Sequence, residues 1–146
     1  ANSKDIQDLF SERLIAVSSK PYPSQAIVRL SVLFEKTDEN ELKYLSDEDL
    51  FQIKKEFRNE FDSYKINNRK ILKKMHIPFL DKVNGKNSLV INYSRYDLQD
   101  DRKMTSEVYQ YYIPFNQKTI LMTLSHKSDN NMIFYVLKKI KNSLKF

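Results

Sequence analysis

A chain of 146 residues, 40% hydrophobic with nine Tyr and nine Phe, is sized for one domain with its own core, and that composition excludes a disordered polypeptide. It has no Cys, which excludes disulfides, thiolate metal sites and thiol catalysis. No apolar run approaches the roughly 20 residues of a membrane-spanning helix, so no integral membrane segment is expected. The net charge of +6 is uneven: residues 35–62 hold ten acids and five bases, and residues 63–146 hold six acids and sixteen bases. The basic half would attract nucleic acid, anionic lipid or an acidic partner. The plainer reading is a lysine-rich solvated surface. A start at Ala1 fits removal of a signal peptide, so a periplasmic or secreted protein is expected. Trimming, a lost lipid-anchored Cys and a cytoplasmic location are the alternatives.

Taken in chain order, residues 4–17 fit a helical stripe through Ile6, Leu9, Phe10, Leu14 and Val17. Pro21 and Pro23 make the next segment a loop or extended connection. Residues 26–35 alternate, with Val28, Leu30, Val32 and Phe34 on one face, and read as a strand. Residues 36–45 read as a charged loop. Ser46 offers an N-cap, Asp47, Glu48 and Asp49 suit the positive helix end, and Leu50, Ile53, Phe57, Phe61 and Tyr64 follow at spacings of three and four. That is the clearest helix in the chain.

Residues 66–80 read as a strand ending near Pro78. Val83-Asn84-Gly85-Lys86 is a hairpin signal, because Asn-Gly supplies two positive-φ positions. Residues 88–96 alternate, with Leu89, Ile91 and Tyr93 opposed to Ser88, Val90, Asn92 and Ser94. Asp97 to Lys103 is a polar loop. Residues 104–115 form a strand with Tyr109, Tyr111, Ile113 and Phe115 on one side, Asn116-Gln117-Lys118 turns the chain, and residues 119–126 return with Ile120, Met122 and Leu124 inward. Ser128 and Asp129 open a last helix. Its stripe is Ile133, Val136, Leu137, Ile140 and Leu144, and its other face carries Lys138, Lys139 and Lys141. Short connections between the later strands imply antiparallel pairing. The reading is a single α+β domain over residues 1–146, an antiparallel β-sheet meander packed against amphipathic helices, with residues 1–25 unassigned.

A strand entered through Val83-Asn84-Gly85, a following meander, and a closing helix through Ile140, Ser143, Leu144 and Phe146 together resemble the PsbP-like superfamily. That superfamily includes the extrinsic oxygen-evolving-complex subunit, a Ran-binding nuclear import factor and many small exported bacterial proteins. The resemblance covers roughly residues 26–146; residues 1–25 depart from it, and the chain has no Trp, which many members carry there. It implies a PsbP-like α+β fold and a binding or assembly role. The family has no shared catalytic residues, so none are carried over.

The residues themselves point away from enzymatic chemistry. The one glycine, Gly85, rules out a phosphate-cradling loop or a Gly-x-Ser-x-Gly elbow. His76 and His126 are fifty positions apart, with no acid at a helpful spacing to complete a zinc site. Ser125 and His126 are adjacent and would face opposite ways on a strand. Asp38, Glu39, Glu41, Asp100 and Asp101 fall in polar segments, where solvated charge is the ordinary reading. Asp97 to Asp101 lacks the spacing of a calcium loop. No cofactor and no metal are expected, and the chain reads as a non-enzyme.

A protein–protein binding domain is therefore the expected function, with a basic nucleic-acid-binding domain as the alternative. For the alternative, Lys65, Arg69, Lys70, Lys73 and Lys74 fall within ten residues without an acid, beside tyrosines able to stack on bases. Against it, Tyr93, Tyr109 and Tyr111 share parity with apolar core positions. Membrane binding through the basic face of the last helix competes with burial of its apolar stripe. Strand parity selects the candidate interaction surface: Arg29, Ser31, Asn92, Ser94, Gln110, Tyr112, Thr123 and Ser125, expected together on one polar side of the sheet.

Overall fold

The computed structural model describes residues 11–18, 26–66, 68–97, 104–128 and 131–145. Its main sheet runs in the order β1 (Ser11–Ser18), β2 (Ala26–Leu33), β9 (Lys118–Lys127), β8 (Thr105–Phe115) and β7 (Lys86–Tyr96). Both β5 (Leu72–Met75) and β6 (Phe79–Val83) pair with β7, one after the other. Every pairing is antiparallel. A separate ribbon joins β3 (Lys65–Ile66) to β4 (Arg69–Lys70). The helices are α1 (Glu39–Lys43), α2 (Asp47–Asp62) and α3 (Asn131–Ser143). This is the α+β fold that the alternating strands and amphipathic stripes predict. No helix among the described residues is long and apolar enough to cross a membrane.

Local chemistry fixes the hairpins. Asn84 and Gly85 take φ of 53° and 75°, so Val83 pairs with Lys86 across a two-residue turn, as the Asn-Gly signal requires. The β8–β9 turn is built without glycine, on Asn116 and Gln117 at φ 44° and 64°. A left-handed Gln costs about 1–2 kcal/mol, which the ten-pair β8–β9 ladder offsets.

The sheet is covered on both faces. Under α3, Val28, Val90, Ile113, Ile120, Met122 and Leu124 form one buried cluster with Leu137 of the helix, and Ile140 and Leu144 pack onto it. On the opposite face, Leu72, Met75, Ile91, Tyr93 and Val108 form a second cluster, against which Ile53, Phe57 and Phe61 of α2 pack together with Leu89 and Tyr112. Strand β7 therefore carries fully buried neighbours pointing opposite ways: Val90 and Ile91 are both 0% exposed.

Several sequence expectations change. Positions 11–17, which fit a helical stripe within the unassigned first 25 residues, belong to strand β1 (Ser11–Ser18), and residues 4–10 lie outside the described residues. A register shift between Arg13 and Ile15 inserts an extra residue and breaks the two-residue period, which makes the segment mimic a helical stripe. The charged loop at 36–45 contains α1: Asp38 caps it by accepting the Asn40 N–H at 2.9 Å, and Leu42 is buried. The strand expected over 66–80 is divided into β4, β5 and β6. Pro78, without an N–H to donate, lies in the gap between β5 and β6. Pro21 and Pro23 lie outside the described residues, as do positions 98–103 of the polar loop and the side chains of Ile133 and Val136.

Two charges expected in solvent are buried instead. Lys141 turns inward from α3 and meets Asp81 Oδ2 at 2.7 Å, beside the Tyr111 ring. Asp97 accepts from Lys127 Nζ at 2.6 Å and from the Ser106 hydroxyl at 2.7 Å, so its carboxylate is committed to an internal ion pair and not to a calcium loop. Periodicity placed both Lys141 and Asp97 outside because it cannot see a buried opposite charge from a distant strand.

Candidate functional site

Helix α2 is positioned by its start. The Ser46 hydroxyl accepts the Asp49 N–H at 3.1 Å, and the Asp49 carboxylate accepts the Ser46 N–H at 2.9 Å, a reciprocal capping box. These hydrogen bonds, the Ser46 backbone N–H first, hold the Asp49 carboxyl below its ordinary pKa. With that register, Ile53, Phe57 and Phe61 meet the sheet, and Phe61 lies 4.7 Å from the Tyr93 ring. The same register aligns Lys54, Arg58 and Asp62 at spacings of four, one flank away from the apolar stripe.

Across from that flank, Leu72 and Met75 are rooted in the second core, and Lys70, Lys73 and Lys74 accompany them. Between helix and strands is a cleft of about 230 Å³ lined by Lys54, Arg58, Asp62, Lys70, Leu72, Lys73, Lys74 and Met75. Five lining residues are basic and one is acidic. Asp62 is 3.3 Å from Lys70 Nζ and 4.0 Å from Arg58 Nε. Both bases are more than half exposed, so each pair contributes about 0–1 kcal/mol. These contacts orient the bases and leave them able to bind something else.

Sequence reasoning picked out the strand side of this site, Lys70, Lys73 and Lys74. It missed Lys54 and Arg58, which come from the stretch with an acidic balance. The signal was available: their spacing of four, continued by Asp62, beside the Ile53, Phe57 and Phe61 stripe, places them on a helix flank next to whatever that stripe covers.

The eight residues expected on one polar face do not all share it. Arg29, Thr123 and Gln110 lie in one row across β2, β9 and β8, and Ser31 and Tyr112 flank Leu121 in the next. With Ser125 they are on the α2 face. Asn92 and Ser94 pair with Tyr109 and Glu107 and are on the α3 face. Their parity was inverted because β7 is apolar on both sides, so Leu89, Ile91 and Tyr93 did not mark the same core as Val28 and Leu30. Asn92 is buried and donates to the Val108 carbonyl at 3.0 Å. Tyr112 packs edge-on to Phe57 at 6.3 Å, and its pKa is raised, chiefly by burial; it is part of the second core. Ser125 is buried. Arg29 is exposed, and Ser31, Gln110 and Thr123 are half-buried.

The histidines gain a neighbour that their sequence spacing hid. Glu107 lies between Ser94 and His126 in register, and its Oε2 is 3.8 Å from His76 Nε2. The Ser94 hydroxyl donates to the Glu107 carboxylate at 2.5 Å, so its partner is a carboxylate and not a histidine ring. His126 is buried, with Nδ1 at 2.7 Å from the Lys127 carbonyl, in a ring cluster with Tyr109 and Phe134. Among the described residues no group of three His, Asp or Glu is placed to hold a metal.

No known family model matches the chain, and no curated protein matches it in sequence.

Proposed function

We propose that this is a non-enzymatic binding domain that works by protein–protein interaction and receives an acidic segment of its partner in the cleft between α2 and β4–β5. The observation that carries this reading is convergence: Lys54 and Arg58 from the helix meet Lys70, Lys73 and Lys74 from the strands around one concave space. Concentrated charge of one sign, facing an incoming acid, raises both encounter rate and selectivity. The resemblance to the PsbP-like superfamily, with its binding and assembly factors, points the same way.

Nucleic-acid binding is the second reading, favoured by the basic run from Lys65 to Lys74, of which Lys70, Lys73 and Lys74 line the cleft. It is the weaker one because Tyr93 and Tyr111 are buried and Tyr112 is packed under α2, so they offer no stacking platform. Titrating the protein with a Glu-rich peptide and with single-stranded RNA separates the two. The proposal expects saturable peptide binding that Lys54→Ala with Arg58→Ala abolishes. RNA binding with a steep salt dependence, alongside no response to the peptide, would replace it.

A further inference from the structure

Building on the cleft as docking site, we propose that the group it takes is a phosphate monoester carried on the partner segment, and that Asp62 is the internal anion this group displaces. Five basic residues and one acid line the cleft. A single partner carboxylate brings one negative charge and leaves most of the bases unanswered. A phosphate monoester brings nearly two charges and three strong acceptor oxygens. The bases stand on opposite walls, so those oxygens can be met from two sides. Arg58 adds a planar fork suited to bidentate contact with phosphate. Room is sufficient: about 230 Å³ is several times the roughly 30 Å³ share of one water.

Asp62 supplies the second line of support. The ion pairs this fold uses for structure are short and each holds a buried lysine, Asp97 to Lys127 at 2.6 Å and Asp81 to Lys141 at 2.7 Å. The Asp62 contacts are longer, 3.3 and 4.0 Å, and their bases are more than half exposed. Its carboxylate therefore keeps Arg58 and Lys70 facing the cleft without locking them, and a dianion outcompetes it.

The test is fluorescence anisotropy with a short Gly-Ser peptide bearing one phosphoserine, against versions with Glu and with Ser at that position. Inorganic phosphate and a single-stranded RNA of similar length serve as further probes. The phosphopeptide is expected to bind about tenfold more tightly than the Glu peptide. Asp62→Asn should tighten it further, and Arg58→Ala or Lys70→Ala should weaken it about tenfold with circular dichroism unchanged. Equal binding of phosphoserine and Glu peptides, both weakened by Arg58→Ala, overturns the phosphate assignment and leaves the acidic-segment reading standing. An unchanged affinity in Asp62→Asn overturns the displacement. Inorganic phosphate binding as tightly as the phosphopeptide overturns the partner-borne source. Binding of neither acidic peptide, or of RNA alone, overturns this inference and the reading beneath it together.

Discussion

The two faces of the sheet hold their helices differently. Under α3, Leu137 is 1% exposed and Val90, Ile113 and Met122 are 0%, and Lys141 is drawn inward to Asp81. On the other face, α2 has no fully buried residue; Ile53, Phe57 and Phe61 are half-buried, and the basic cleft opens beside them. A fully packed face fixes a structure and leaves no opening. A loosely laid helix with charged flanks gives up some apolar burial and keeps a recess that a partner can fill. The division fits the general pattern in which binding surfaces are taken from the less stable parts of a fold.

The largest expected effect belongs to the buried Asp97–Lys127 pair. Asp97→Ala strands a buried Lys127 ammonium and should cost about 3–5 kcal/mol in urea unfolding. Leu137→Ala opens a cavity under α3 and should cost about 3 kcal/mol. Phe57→Ala should cost only about 2 kcal/mol, because the ring is half-buried and falls short of the roughly 3–5 kcal/mol of a fully enclosed one. Equal losses at Leu137 and Phe57 would erase the distinction between the faces.

Alkaline pH probes both faces at once. Tyr111 and Tyr109 under α3, and Tyr93 and Tyr112 under α2, all have raised pKa values, with burial the first cause in each. For Tyr111 the nearby Asp81 charge adds to it. Unfolded tyrosines ionise near pH 10, and these keep their protons above that. Above about pH 10 the unfolded chain thus binds fewer protons than the folded one, so stability is full below that pH and falls as pH rises. Near-ultraviolet absorbance should show these tyrosines ionising together with unfolding, and ionisation of any of them in the folded protein would mark a face as open. The smallest effect belongs to the cleft: Arg58→Ala or Lys73→Ala should change stability by no more than about 0.5 kcal/mol while weakening anion binding.

Much of this was legible in the residues. Asn84-Gly85 determined a hairpin by its tolerance of positive φ, and Ser46 with Asp49 determined where α2 begins. The spacings from Leu50 to Phe61 and from Leu137 to Leu144 determined two amphipathic helices, and the alternation from Tyr109 to Phe115 and from Ile120 to Leu124 determined the strands under α3. All are local effects, set by backbone sterics, capping and one-sided burial within a few residues of each other. Tertiary structure alone decided that β7 is covered on both sides, which sent Asn92 and Ser94 to the face opposite Arg29 and Gln110. It also decided that Asp97 and Lys141 are buried with charges from other strands. And it brought Lys54 and Arg58, from the acidic stretch of the chain, opposite Lys70 and Lys73. The reason is physical: periodicity reports which residues share a face, but not how many faces are covered, and the environments of Asp97 and Lys141 depend on partners thirty and sixty residues away.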